Sequence, residues 1–194
     1  DLTTSFEMYE TLEGSNNDRY QYILPSYNFS KNFFLESVTG SFNLNSHGNN
    51  TLKETNVTTS KIFNDLNYSS INNFLDNGIK TNFDIFLKNV NTTGKNDIEY
   101  KDKLHSRLMS AYTFNASLPM INKTFSTFNT LEPKLSLRLS PHQMRDNSTL
   151  ERRIDMNNIF NSNRLSMDES FESGESITLG LNFKKEKVNI INEL

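Results

Sequence analysis

Two stretches in the last third of the chain show strict alternation of apolar and polar side chains. From Leu131 to Leu139 the apolar residues occupy odd positions and the polar residues occupy even positions. The same period of two returns from Ile177 to Phe183. Because successive side chains of a β-strand point to opposite faces, both stretches are predicted to be strands with one apolar face and one polar face.

Weaker versions of this pattern run through the rest of the chain. Alternation indicates further strands that begin near Leu2, Tyr20, Val38, Ile62, Ile79 and Leu108, and a faint one over Ile154 to Phe160. Together these make about nine strands, mostly of the roughly 9–11 residues that cross a bilayer when tilted. No stretch has helical periodicity. The sequence therefore predicts an all-β fold, an antiparallel up-and-down meander.

The connections between these strands are predicted from proline and from polar runs. A change of apolar parity at Leu24-Pro25 predicts a bulge or bend in the second strand, because proline cannot donate a ladder hydrogen bond. Polar runs predict loops over Ser46 to Asn50 and over Asn89 to Lys103.

Connection lengths carry a second signal. We expect long connections near Asn50, Thr93 and Asn147, and short ones near Asn16 and Asn73. Long loops at one end and short turns at the other are typical of outer-membrane barrels. The long stretch 161–176 breaks this pattern, because it falls on the expected short side.

Composition indicates a sheet that separates two media. Only 35% of the residues are hydrophobic, and the mean hydropathy is -0.62. Such values suit a disordered chain, but 15 Phe and 7 Tyr are too many aromatic residues for one. A polar average combined with alternating aromatic stripes favours water on one face and an apolar medium on the other.

Charge and cysteine content exclude few classes of protein. The net charge of -3 gives no basic footprint, so no nucleic-acid partner is expected. With Cys 0, neither disulfides nor thiolate metal sites can form. The chain has no run of about 20 apolar residues, and its first residues already look like a strand. Either a signal peptide has been removed or the chain is an internal fragment.

The sequence offers no constellation of catalytic residues, so we expect no enzyme and no cofactor. The histidines His47, His105 and His142 lie in separate segments without the paired spacing of a zinc site. Asp168, Glu169, Glu172 and Glu175 could in principle bind Ca²⁺, but the ligand order and central glycine of a calcium loop are missing. We interpret these four residues as a solvated acidic loop.

Several short motifs resemble, in order and spacing, those of LPS-assembly outer-membrane proteins, the LptD/OstA family. The motifs are Tyr22-Ile23-Leu24-Pro25, the strand with Gly40-Ser41-Phe42-Asn43-Leu44, the strand Leu131-Glu132-Pro133-Lys134-Leu135, and the segment from Phe160 to Phe183 with Asn163, Arg164, Asp168 and Gly180. This likeness extends over residues 20–183. Met167 stands where the family usually has glycine, and Glu169-Ser170 replaces its usual arginine.

The resemblance implies that residues 1–194 are one segment of a large transmembrane β-barrel in the cell outer membrane, without the periplasmic N-terminal domain and the closing strands. Such barrels are plugged by an LptE-like lipoprotein, receive lipopolysaccharide from an LptA-like periplasmic bridge protein and insert it into the outer leaflet. The matched motif positions would then be structural or would line the lumen. The opposite face of the barrel wall would contact outer-membrane lipid.

The residues alone leave two other interpretations open. A secreted or surface β-sandwich that binds glycans or acts as an adhesin would bury the same stripes against a second sheet. A small self-contained porin-like barrel would close on its own strands.

Overall fold

A computed structural model describes residues 1–12, 19–125, 127–143 and 152–187, which form one antiparallel sheet of ten strands. The strands are β1 (Leu2–Glu10), β2 (Tyr20–Leu35), β3 (Val38–Lys53), β4 (Thr58–Ser70), β5 (Asn73–Phe74), β6 (Lys80–Lys95), β7 (His105–Ser117), β8 (Met120–Lys123), β9 (Thr127–Ser140) and β10 (Gly174–Lys187). Within these ranges no helix is long and apolar enough to cross a membrane.

The predicted antiparallel meander is confirmed. The strands are ordered β1-β2-β3-β4-β6-β7-β9-β10, and the short strands β5 and β8 pair with β6 and β9. In the described part of the chain the path ends at β1 and at β10, so the sheet is not closed. Among the described strands, contacts are confined to ladder neighbours, and no second sheet of described residues packs across the first.

The two faces of the sheet differ in what lies over them. Residues 152–173, called the inner segment, lie over one face, which we call the covered face. Phe86 and Arg138 of this face contact the inner segment. The other face, called the open face, carries Leu137 and Leu179, which are 39% and 78% exposed. The two strictly alternating stretches of the sequence supply the apolar side chains that β9 and β10 present on the open face.

The apolar zone of the open face ends at a row of polar side chains. Leu44, Leu66 and Leu87 are register partners, and the next row two residues further along is Ser46, Asn64 and Asn89. The Ser46 hydroxyl donates to Asn64 at 2.7 Å, and Asn64 Nδ2 donates to Asn89 at 3.2 Å. Beyond this row both faces of β3, β4 and β6 are mostly polar.

This change explains why two predicted loops are wrong. Residues Ser46 to Asn50 belong to β3, and β6 continues to Lys95, so the real connections are 54–57 and 96–104. Polar side chains on both parities hide the period of two, whereas the ladder hydrogen bonds between backbones continue without apolar residues. The connection near Asn50 is therefore short rather than long.

The predicted irregularity in the second strand is confirmed. The pairing of β2 with β3 shifts between Ile23 and Ser26, and the pairing of β1 with β2 shifts between Ser5 and Glu7. Leu24-Pro25 therefore lies in a bulge, which moves the apolar side chains of β2 from one parity to the other.

The predicted strand over Ile154 to Phe160 is wrong. Residues 156–160 form turns within the inner segment, and Phe160 packs against Gly180 of β10. The connection that leads into β10 at Gly174 includes the inner segment. It lies at the same end of the sheet as 54–57 and 96–104, which removes the irregularity expected for 161–176. The predicted connections near Asn16 and Asn147 lie outside the described residues.

Gly40 is required by close packing on β3. Its φ is 152°, and a Cβ there would lie 2.5 Å from the carbonyl oxygen of Ser69 and 2.6 Å from Cε2 of Tyr68. The Tyr68 hydroxyl donates to the carbonyl oxygen of Thr39 at 2.9 Å, so the ring is fixed across the glycine.

We expect Gly40→Ala to lower the free energy of unfolding by about 1–3 kcal/mol, because the added methyl group overlaps backbone and ring atoms. Denaturant titration of the purified chain measures this loss. The neighbouring Ser41→Ala, at an exposed position, is the control and should change stability by less than about 0.5 kcal/mol. Equal values for the two variants would contradict the close packing.

Candidate functional site

The strongest concentration of buried polar chemistry lies between the covered face and the inner segment. Phe171 is fully buried, and its ring centroid is 5.1 Å from that of Phe86 and 4.3 Å from that of His142. The guanidinium carbon of Arg138 lies 5.8 Å from the same ring, in range of a cation–π contact. Phe171 therefore anchors the segment near the middle of the sheet.

A buried ionic cluster surrounds this anchor. The Glu172 carboxylate pairs with Arg164 Nε, and Arg138 Nη1 is 3.4 Å from the same carboxylate oxygen. Arg138 Nη2 also donates to the backbone carbonyls of Glu172 and Ser162, at 3.0 and 3.3 Å. All three charged side chains are buried. Burying these charges is favourable only while they remain paired, so the cluster fixes the inner segment against β9.

A second buried ion pair belongs to the sheet itself. Lys88 is 1% exposed, and its Nζ lies 2.8 and 2.9 Å from the two carboxylate oxygens of Asp65. The two residues are direct register partners on β6 and β4. The covered face is therefore a charged, hydrogen-bonding surface with a small apolar patch that includes Phe63, Val90 and Met109.

At the end of the sheet that carries connection 96–104, the inner segment is held by Glu169. Its carboxylate accepts from Lys61 Nζ at 3.0 Å and from the Tyr100 hydroxyl. Arg107 Nη2 donates to the Glu169 carbonyl at 3.3 Å. The Lys61 ammonium also lies 4.3 Å from the centroid of the Tyr100 ring.

Tyr100 is positioned by an aspartate turn within this connection. The backbone N–H groups of Glu99 and Tyr100 donate to Asp97 Oδ1 at 2.7 and 3.0 Å, and the bond from Tyr100 is the main cause that lowers the pKa of Asp97. Burial, followed by the hydrogen bond to Glu169, raises the pKa of Tyr100 to about 12. The phenol thus stays neutral and donates to the carboxylate.

Gly180 makes room for the ring of Phe160 in the inner segment. A Cβ at Gly180 would lie 2.6 Å from Cζ of Phe160. Phe160 borders a cleft of about 390 Å³ whose polar lining comes from β6, β7, β9 and β10. It also borders a second cleft, which contains Asp65 and Asp84.

The structure brings some of the motif residues together and leaves others apart. Asn163, Arg164 and Asp168 lie in the inner segment, while Gly180 receives Phe160 and Glu132 lines the cleft beside it. Pro133, Leu24, Pro25 and Gly40 lie outside this site: Pro133 is the register partner of Leu181 in the open-face stripe, and the other three shape β2 and β3.

The interpretation of the acidic residues as one solvated loop is wrong for two of them. Asp168 lies 3.7 Å from His47 Nε2 and is largely exposed, whereas Glu169 and Glu172 pair with separate cations against the sheet. Over the part of the chain that the structure describes, no group of three or more His, Asp or Glu side chains could hold a metal ion.

Sequence reasoning missed the cations that hold the inner segment. Lys61, Lys88 and Arg138 occupy polar positions of strands, where a charged side chain ordinarily faces water. The sequence feature that could have predicted them is their position on one face of the strands, combined with a later segment rich in Asp and Glu. No protein-family model matches the chain, and no curated protein matches it.

Replacing Glu172 tests the ionic cluster. We expect Glu172→Gln to lower the free energy of unfolding by about 3 kcal/mol, because two buried guanidinium groups lose their counter-charge. Hydrogen exchange of residues 160–173 should quicken in parallel. Glu175→Gln, at an exposed position of β10, is the matched control, and an equally small effect of both changes would contradict the cluster.

The contribution of Tyr100 should depend on alkaline pH. Its folded-state pKa lies above the ordinary value of 10.0, so the stability that it adds is present below pH 10.0 and is lost as pH rises toward about 12. We expect Tyr100→Phe to cost about 1 kcal/mol at neutral pH. Unfolding titrations of both proteins should show this difference shrinking above pH 10.0, and a difference that is constant with pH would contradict it.

Proposed function

We propose that this chain forms part of the wall of an outer-membrane β-barrel that translocates lipopolysaccharide from the periplasm and inserts it into the outer leaflet. The observation that carries the proposal is a single sheet with two chemically opposite faces. Its open face presents exposed leucine, isoleucine and phenylalanine side chains, while its covered face buries ionic pairs.

An apolar medium over the open face accounts for its side chains. Ile177, Leu179, Leu181 and Phe183 are each 66–78% exposed along one strand. Exposed apolar patches of more than a few hundred Å² mark surfaces that meet another molecule or a lipid phase. The nine residues from Leu131 to Leu139 match the length of a tilted membrane strand. The polar row at Ser46, Asn64 and Asn89 would lie at the boundary of the hydrocarbon.

Within the described residues the outer edges of β1 and β10 have no partner strand, which favours a wall over a complete small barrel. Inside a bilayer every backbone polar group must be paired, and only closure of the sheet achieves this. In our proposal β1 and β10 pair with other strands of the same barrel. The end with connection 96–104 and with the start of β10 at Gly174 faces outside the cell in this proposal, because long loops of such barrels are external.

The chemistry of the covered face supports the proposal that the lumen carries a hydrated cargo. Amide, hydroxyl and charged side chains line the clefts beside the inner segment, and such groups can replace the water around a sugar-phosphate head group. The partners implied by the resemblance, an LptE-like plug lipoprotein and an LptA-like periplasmic bridge protein, remain part of this proposal, as does contact with outer-membrane lipid.

A charge on the open face should be far more damaging than one on the covered face. We expect Leu179→Arg to cost about 2–4 kcal/mol near the middle of a bilayer. Asn182→Arg on the same strand points the other way and should cost less than about 1 kcal/mol. The amount of folded protein recovered from outer membranes measures both, and equal recovery would contradict a lipid-facing stripe.

Cross-linking tests the cargo directly. Lys184 and Phe183 are neighbours at one depth on opposite faces of β10, near its periplasmic end in our orientation. A photo-reactive residue at position 184, in Gram-negative cells that express the protein, should capture lipopolysaccharide, whereas one at position 183 should capture phospholipid. Absence of lipopolysaccharide at position 184, or equal capture at both, would overturn the proposal.

A further inference from the structure

The cleft of about 390 Å³ on the covered face has the dimensions and lining of a ligand site. Small-molecule sites commonly measure about 300–1,000 Å³ and combine a few polar groups with apolar walls. The polar groups here are two lysines, one glutamate, three asparagines and one serine, and Met156 and Phe160 of the inner segment form an apolar wall. The buried ionic cluster uses none of these lining residues.

The floor of the cleft is ordered by register and by hydrogen bonds. Lys80, Ser117 and Lys134 form one cross-strand row, and Asn82 and Asn115 lie side by side in the next. Both amide groups donate to the same oxygen of Asp84, at 3.1 and 2.7 Å. Their orientations are therefore fixed before any ligand arrives, which reduces the entropy that binding must overcome.

The charge of the cleft favours an anion. Its lining carries two lysines and one glutamate, and Lys134 Nζ is 3.2 Å from Glu132. With that pair neutralised, Lys80 leaves one net positive charge among the side chains that line the cleft. The Asp84 carboxylate lies behind Asn82 and Asn115 and accepts from both amides, so it is engaged by the floor. The second cleft, which Phe160 also borders, has Asp65 and Asp84 in its lining and is the less favourable place for an anion.

The apolar wall favours a ligand that has an apolar surface as well as an acidic group. Phe160 is 36% exposed, and its ring is held where Gly180 leaves room for it. An aromatic ring beside amide and ammonium groups suits the C–H face of a sugar whose hydroxyls bond to the amides. Inorganic anions have no C–H surface that could pack on this ring.

From this arrangement we infer a binding site for an acidic monosaccharide unit, a sugar that carries a phosphate or carboxylate group, in the cleft between Lys80, Asn115 and Phe160. Lys80 binds the acidic group, the asparagine amides bind hydroxyls, and Phe160 packs on the ring. The inference requires neither a membrane nor transport. A failure of the proposed function would therefore leave this site untouched, and the absence of the site would leave the proposed function untouched.

Binding of glucose 6-phosphate, glucose and inorganic phosphate to the purified chain in detergent tests the site. Calorimetry and saturation-transfer NMR should show binding of glucose 6-phosphate, with transfer to its ring protons, and at least tenfold weaker binding of glucose or phosphate alone. Equal binding of inorganic phosphate would overturn the sugar part, equal binding of glucose would overturn the anionic part, and no binding of glucose 6-phosphate would overturn the site.

Variants locate the binding. Lys80→Gln should weaken the affinity for glucose 6-phosphate about tenfold, because a charge-assisted hydrogen bond is lost. Lys123→Gln, on exposed β8, is the control and should leave the affinity unchanged. Phe160→Ala should remove the saturation transfer to ring protons while a weaker affinity for phosphate remains. An unchanged affinity in Lys80→Gln, with the fold verified by circular dichroism, would place the ligand elsewhere and contradict the site.

Discussion

The pairing register of the long strands is the constraint on which both faces of this sheet depend. Because side chains alternate with a period of two, a slip of one residue would exchange the faces of a whole strand. A slipped β9 would place Leu137 beneath the inner segment and turn Arg138 away from Glu172. The ladder from Gly174 to Lys187 runs along β9 without a shift. The apolar stripe and the buried ionic cluster therefore specify the same register.

The covered face is neither an ordinary protein core nor an ordinary solvated surface. Its apolar patch around Phe86 is small, and the surrounding side chains are charged or amide groups. Ion pairs here confer specificity of position more than stability, because the same burial could be achieved by apolar residues at lower desolvation cost. Such a surface holds the inner segment in one place and still leaves polar clefts beside it.

The sequence predicted the fold where one parity was apolar and failed where both parities were polar. Residues 131–139 and 177–183 were assigned to strands for this reason, whereas the polar ends of β3 and β6 were taken for loops. The site was only partly predictable. Short motifs pointed to Arg164, Asp168 and Gly180, but a lone cation such as Arg138 on a polar face carries no signal that a segment 34 residues away in the chain will return to pair with it.

The contacts of Glu169 also lead to an expectation about the order in which this structure assembles. Its partners Lys61 and Tyr100 precede it by 108 and 69 residues. Loops of that length close late, and a polypeptide is synthesised from its N-terminus. We therefore expect the strands from β4 to β9 to pair before residues 152–173 reach them, with Lys61 and Arg138 still hydrated. The arrival of the inner segment would then replace that water with the carboxylates of Glu169 and Glu172.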